Sequence, residues 1–143
     1  MQSKSDIAAG YLDEGFSCST SILLTFRNDD ELDAETAARI SCGFGGGCSS
    51  GELCGAAVGG VMVIGLKHGQ ESGSDTGAKA NCRAHVIKFI GDFKEKNGAL
   101  TCRDLLDCDP TTEEGHAIYL AKRATVCYGA VRNAADILAD AGY

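Results

Sequence analysis

LCGAAVGGVMVIGLKHG, residues Leu53–Gly69, is the stretch that decides the fold. Its apolar run from Leu53 to Leu66 lasts 14 residues before Lys67 interrupts it, whereas a membrane-spanning helix needs about 17–25. The segment therefore reads as a helix buried inside protein, from about Cys54 to His68. Gly55, Gly59 and Gly60, with Ala56 and Ala57, strip part of its surface of side chains. Each glycine costs a helix about 0.8–1 kcal/mol relative to alanine, so something must come close to that backbone. Two occupants fit: another helix packed through small residues, or a bulky inorganic group with its thiolate ligands.

Immediately upstream, SCGFGGGCSSGELC (Ser41–Cys54) sets Cys42, Cys48 and Cys54 six residues apart among glycines. Gly43 and Gly45 to Gly47 mark a loop free to adopt positive φ. Cys54 stands at the expected N-terminus of the buried helix, where free N–H groups point at a side chain and lower a thiol pKa. Glycines on both sides let backbone amides reach a sulfur or sulfide without obstruction. Cys54 thus carries the strongest functional signal of the eight cysteines, while Cys42 reads as packing or a reserve thiol.

Farther out, apolar periodicity is helical, and no β-branched run alternates with period two. The fold class is all-α. Helices are expected over Ser5–Asp13, stopped near Gly15; over Ser17–Arg27, with Cys18, Ile22 and Phe26 on one inward face; and over Ala34–Cys42, capped by Asp33. Asp75 caps a long helix reaching Lys96, with Asn97-Gly98 as its stop. Its stripe of Ala78, Cys82, Val86, Phe89 and Phe93 makes Cys82 a core residue. After a short helical turn over Cys102–Leu106, a last helix runs from Thr112 to about Ala139. Thr111 and Glu114 introduce it at capping-box spacing, Cys127, Val131, Ala134 and Leu138 line it, and Gly129 bends it. The expected architecture is one domain, a bundle of about five or six helices around the Gly-rich central one.

With 13 Lys and Arg against 20 Asp and Glu, the formal charge is −7, which disfavours nucleic acid as a partner. The opening MQSKSDIAAGYLDEG has no basic, apolar and small-residue sequence of an export signal, so the expected location is cytoplasmic, without direct membrane insertion. Eight cysteines in a reducing compartment point to metal or redox chemistry rather than to a disulfide framework.

CGAAVG at 54–59, with GYLDEGFSCSTSILLTF at 10–26 before it, CRDLL at 102–106 after it and Cys127 ahead of AADIL, resembles the redox-active protein family defined by a CGAxxG motif and four invariant cysteines. The resemblance spans nearly the whole chain. It implies that Cys18, Cys54, Cys102 and Cys127 are the family four and hold most of the ligands of a cluster. A similar domain accompanies haem in split-Soret cytochromes, where an iron–sulfur centre has been proposed, so the resemblance leans toward electron transfer. Cys42, Cys48, Cys82 and Cys108 are additional. C-x5-C spacing at 48/54 and 102/108 keeps open a ligand set of Cys48, Cys54, Cys102 and Cys108, or a second metal site.

Four thiolates meeting from separate helices repel one another unless a cation compensates them, and an iron–sulfur cluster does so. Such centres also use backbone amides that donate to sulfur, which the glycines around Cys54, Gly55 among them, permit. A [2Fe–2S] centre is expected first and a [4Fe–4S] centre second. The alternatives are a metal-free thiol/disulfide oxidoreductase and a structural zinc-binding interaction domain, although the chain has no CxxC. Arg103, next to Cys102, is a candidate donor to a cluster sulfide; its ordinary role is a helix-end salt bridge. His68, His85 and His116 form no pair with a carboxylate at metal spacing. GFGGGC follows no strand, so no nucleotide loop is expected. The expected function is an electron carrier or redox module serving a redox partner protein, rather than an enzyme with its own substrate, with homodimerisation one use for the small-residue helix face.

Overall fold

The computed structural model describes all residues, 1–143, and is all-α. Helix α1 (Lys4–Asp13) begins at Ser3, whose hydroxyl accepts from the Asp6 N–H, and stops before Gly15 at φ 102°. Helix α2 (Cys18–Phe26) is capped by Ser17 and α3 (Ala34–Ser41) by the Asp33 carboxylate, 2.9 Å from the Thr36 N–H. Helix α4 (Gly55–His68) has Cys54 at its N-cap position. Asp75 caps α5 (Thr76–Asn97), and Gly98, left-handed at φ 85°, ends it. Helix α6 (Cys102–Leu106) is followed by α7 (Glu113–Lys122) and α8 (Tyr128–Asp140).

The C-terminal third differs from expectation in two ways. Thr112, not Thr111, caps α7: its hydroxyl accepts from the Gly115 N–H at 2.9 Å, while Thr111 folds back onto the Asp109 carboxylate at 2.6 Å. This register sets Gly115 against the Asp109 carbonyl, where a Cβ would meet that oxygen at 1.6 Å. The long last helix is also interrupted, because Arg123–Cys127 form a wide π-turn between α7 and α8. The irregularity lies there and not at Gly129, and it carries Arg123 and Cys127 into the site described below. Counting α7 and α8 as one interrupted rod, the bundle has seven rods rather than five or six.

Two helices share the centre. Every residue of α2 from Ser19 to Thr25 is buried, and its hydroxyls are satisfied: Ser19 donates to the Ser41 carbonyl at 2.7 Å, Thr20 bonds the Ser41 hydroxyl at 2.7 Å, and Thr25 donates to the Ser21 carbonyl at 2.7 Å. Helix α4 lies along it. A Cβ on Gly59 would stand 2.7 Å from the Ser19 carbonyl oxygen and 2.9 Å from the Ile22 Cβ, and one on Gly60 would stand 2.2 Å from the buried Phe89 ring of α5. The bare middle of α4 is therefore filled by α2 and α5 within the chain, the plainer of the two occupants. Leu12, Ile22, Leu23, Ile64, Phe93 and Leu138 complete the core. No helix is long and apolar enough to cross a membrane.

A short extended contact does the remaining positioning. Leu53 and Thr101 form an isolated antiparallel bridge. The Cys54 N–H donates to the Leu100 carbonyl at 2.8 Å and the Cys102 N–H to the Glu52 carbonyl at 2.7 Å. Two cysteines far apart in sequence thereby sit side by side.

Candidate functional site

Cys18, Cys54, Cys102 and Cys127 line one cavity of about 530 Å³. Each enters from a different element and near a helix start: Cys18 opens α2, Cys54 precedes α4, Cys102 opens α6 and Cys127 precedes α8. The caps explain how. Ser17 and Thr101, each immediately before its cysteine, turn the chain into the helix by accepting first-turn N–H groups. The starts of α2 and α4 bring the positive ends of helix dipoles to this cavity, which offsets negative charge on sulfur. Cys54, Cys102 and Cys127 are buried and Cys18 is half-buried; all are free thiols.

The glycine-rich loop forms another wall. Gly46, Gly47, Cys48 and Ser49 run consecutively left-handed, at φ of 68°, 65°, 58° and 55°. Such backbone costs non-glycine residues about 1–2 kcal/mol each, so the turn is held by its surroundings. At Gly47 a Cβ would meet the Glu52 backbone at 2.5 Å and the Cys102 Cβ at 2.9 Å; at Gly55 it would meet the Cys18 Cβ at 3.3 Å. Glycine at these positions permits the close approach of the thiol-bearing elements.

The electrostatics departs from the expectation for Cys54. Burial pushes its thiol up from 9.0 to about 11, although the N–H groups of Ala56 and Ala57 pull the other way. Burial, then the neighbouring Cys54, Cys127 and Cys108, push Cys102 up to about 12. Cys18 and Cys127 act as a pair. The Cys18 thiol serves the Cys127 thiolate as proton donor, which lowers the Cys127 pKa with help from Arg123 and raises that of Cys18 further than burial alone. Crowding and burial thus favour protons on Cys18, Cys54 and Cys102, while Cys127 gives up its proton most readily of the four.

The other candidates lie elsewhere. Cys48 is exposed and does not line the cavity. Cys108 packs beside Cys102 and Cys127, outside the cavity lining, with its Sγ 3.5 Å from the Gly115 carbonyl oxygen. Cys82 packs on the main core. Arg103 donates to the Ser50 carbonyl at 3.0 Å and pairs with Asp109 at 3.7 Å, away from the cavity. Arg123 lines it instead, over the Tyr128 ring at 5.7 Å, and the Tyr128 hydroxyl is anchored by donating to Asp13 at 2.7 Å. Sequence reasoning missed Arg123; its place four residues before Cys127 was the one available signal, and the π-turn is what brings it to the cavity. Cys42, exposed, is a fifth thiol on the lining.

Thiolate donors suit both iron–sulfur clusters and zinc. A zinc ion about 2.3 Å from each sulfur would draw four thiolates to roughly 3.8 Å of one another. No three Cys, His, Asp or Glu side chains stand close enough together to hold a metal ion as they are placed, although the four cysteines share one cavity.

The family described as "Putative redox-active protein (C_GCAxxG_C_C)" matches residues 16–141 of the chain. No curated protein and no solved structure matched it.

Proposed function

The chain belongs to the C_GCAxxG_C_C family of redox-active proteins, and from that premise we propose that it binds an iron–sulfur cluster, [2Fe–2S] first and [4Fe–4S] second, and passes electrons to a redox partner protein. The observation that carries this is the meeting of Cys18, Cys54, Cys102 and Cys127 on one cavity from four separate elements. These four residues would hold the cluster, which supplies one-electron chemistry when bound.

The chain's own residues have definable parts. Ala56 and Ala57 direct first-turn N–H groups toward the Cys54 sulfur, the kind of donation that tunes a cluster's potential. Arg123 sets one positive charge beside Cys18 and Cys127. Ligation requires thiolates, so loading displaces the protons that burial holds on Cys54 and Cys102.

A second reading is favoured by the Cys18–Cys127 pair. A depressed thiol beside a protonated one is the layout of a nucleophile with its resolving partner, so a metal-free oxidoreductase would use Cys127 to attack and Cys18 to resolve. Iron and acid-labile sulfide analysis of anaerobically purified protein, with its visible spectrum, separates the two. Sulfide-to-iron charge-transfer absorption, lost in Cys54→Ala, supports the cluster. Colourless, iron-free protein after anaerobic reconstitution overturns it, and thiols lost reversibly on mild oxidation would then favour the dithiol.

A further inference from the structure

We propose that α7 is a lid over the thiol cavity, hinged at Asp107 and at the π-turn, and that its opening uncovers Cys102 and Cys127 while Cys54 stays enclosed. The lid goes beyond the cluster reading and does not depend on what the thiols bind.

Packing divides the thiols unevenly. The main core joins 18 buried residues, Cys54 among them. A second cluster joins three, Cys102, Leu106 and Cys127, and Tyr119 of α7 and Val126 of the π-turn pack against it. Two of the four cavity cysteines therefore belong to a small cluster whose outer wall is α7. That helix is itself lightly held. Of its ten residues only Gly115 is buried, whereas α8 buries Ala130, Val131, Ala134, Ala135 and Leu138. It rests chiefly on α6 and on the π-turn. Elements with few buried apolar contacts are the ones that open below the free energy of global unfolding.

Both ends of α7 have the backbone of a hinge. Before it, Asp107 is left-handed at φ 53° without being a glycine; after it, Arg123–Cys127 widen into the π-turn. Hinge motion is absorbed at such loop and element-end positions, and π-turns within helices frequently accompany functional sites. The latch is Lys122, whose Nζ donates to the Leu106 carbonyl at 2.6 Å, and α7 has no ion pair to reinforce it. A lid has a use here. Cys54, Cys102 and Cys127 are only 7%, 7% and 8% exposed, so a reactant needs a wall to move before it meets sulfur. His116 and Tyr119 make α7 one of those walls.

Hydrogen exchange and N-ethylmaleimide alkylation, both read by peptide mass spectrometry on the full chain in its iron-free form, test this. Amides of α7 should exchange faster than those of α2 and α8. Lys122→Met should speed alkylation of Cys102 and Cys127 about tenfold by removing a charged hydrogen bond, and leave the Cys54 rate unchanged. Tyr119→Ala should act in the same direction through the small cluster. Each cysteine is compared with itself, so differences in thiol pKa cancel. Amides of α7 as slow as those of α8, no acceleration in either variant, or Cys54 accelerating in step with Cys102 and Cys127 overturns the lid. Iron and sulfide uptake on reconstitution of the same samples reports on the cluster separately, so either idea can fail without the other.

Discussion

The N-terminal turn of α4 and its middle are built from the same small residues but face different neighbours. At the start, a Cβ on Gly55 would stand 3.2 Å from the Phe44 carbonyl oxygen and 3.3 Å from the Cys18 Cβ, slightly tighter than ordinary contact, so glycine there allows a close approach beside a thiol. In the middle, Gly59 and Gly60 sit where a Cβ would be 2.7 Å from an α2 carbonyl and 2.2 Å from Phe89, so glycine there lets the bundle close. A run of small residues thus announces a close approach without saying whether a cofactor or another helix makes it.

Substitutions along α4 sharpen that contrast. The largest effect is expected for Gly59→Ala, because the obstructing Ser19 carbonyl is backbone and cannot turn aside. About 2–3 kcal/mol of stability should be lost by denaturant titration, as for overpacked cores, even after the helix-propensity gain of about 1 kcal/mol. Displacing α2 also moves Cys18 away from Cys54, so cluster absorption should fall as well. Unchanged stability would show that α2 is not held against Gly59.

Gly60→Ala presses on a side chain that can rotate, and a loss of about 1–2 kcal/mol is expected, with absorption retained. Phe89→Leu should recover part of it. Failure of that rescue in a double-mutant cycle would mean that Phe89 is not the obstacle.

The thiols give a pH-dependent effect in metal-free protein. Cys54 and Cys102 have folded pKa values of about 11 and about 12, above an unfolded value near 8.5. Their protonated forms contribute stability that is fully present below about pH 8.5 and is lost as pH rises toward those folded values. The denaturation midpoint should therefore fall between pH 8 and pH 10.5, on the order of the unfolded thiol pKa and above, and fall less in Cys54→Ala. A flat profile across that window would contradict the burial of these thiols.

Gly55→Ala should cost least, under about 1 kcal/mol, since its neighbours need yield only slightly. Cluster yield should nevertheless drop, measured as absorption per chain after reconstitution. Full yield would remove the distinction between the two parts of the helix.

Much of the fold was legible locally. Ser17, Asp33 and Asp75 cap helices as their side chains require, and Gly98 ends α5 because it can be left-handed. The stripe through Val131, Ala134 and Leu138 faces the core as its period demands. The π-turn at Arg123–Cys127 was not legible, because the apolar stripe that runs from Cys127 to Leu138 begins only where that turn ends. Nor was the Leu53–Thr101 bridge: one pair of residues, 48 positions apart, has no periodicity to display.

For the site, the residues that would carry chemistry were visible, and their environment was not. Cys54 sits at a helix start as the sequence indicates, yet its thiol is raised, because burial outweighs two amides. Arg103 adjoins a cysteine in sequence but bonds Ser50 and Asp109, while Arg123 reaches the cavity.

By itself the sequence determined helix positions, caps and the all-α class, since these follow from interactions within a few residues. Only the tertiary structure decided which thiols share a cavity, which charges face them and how much room lies beside them. Those quantities depend on through-space distances and on exclusion of water, which arise when remote segments pack.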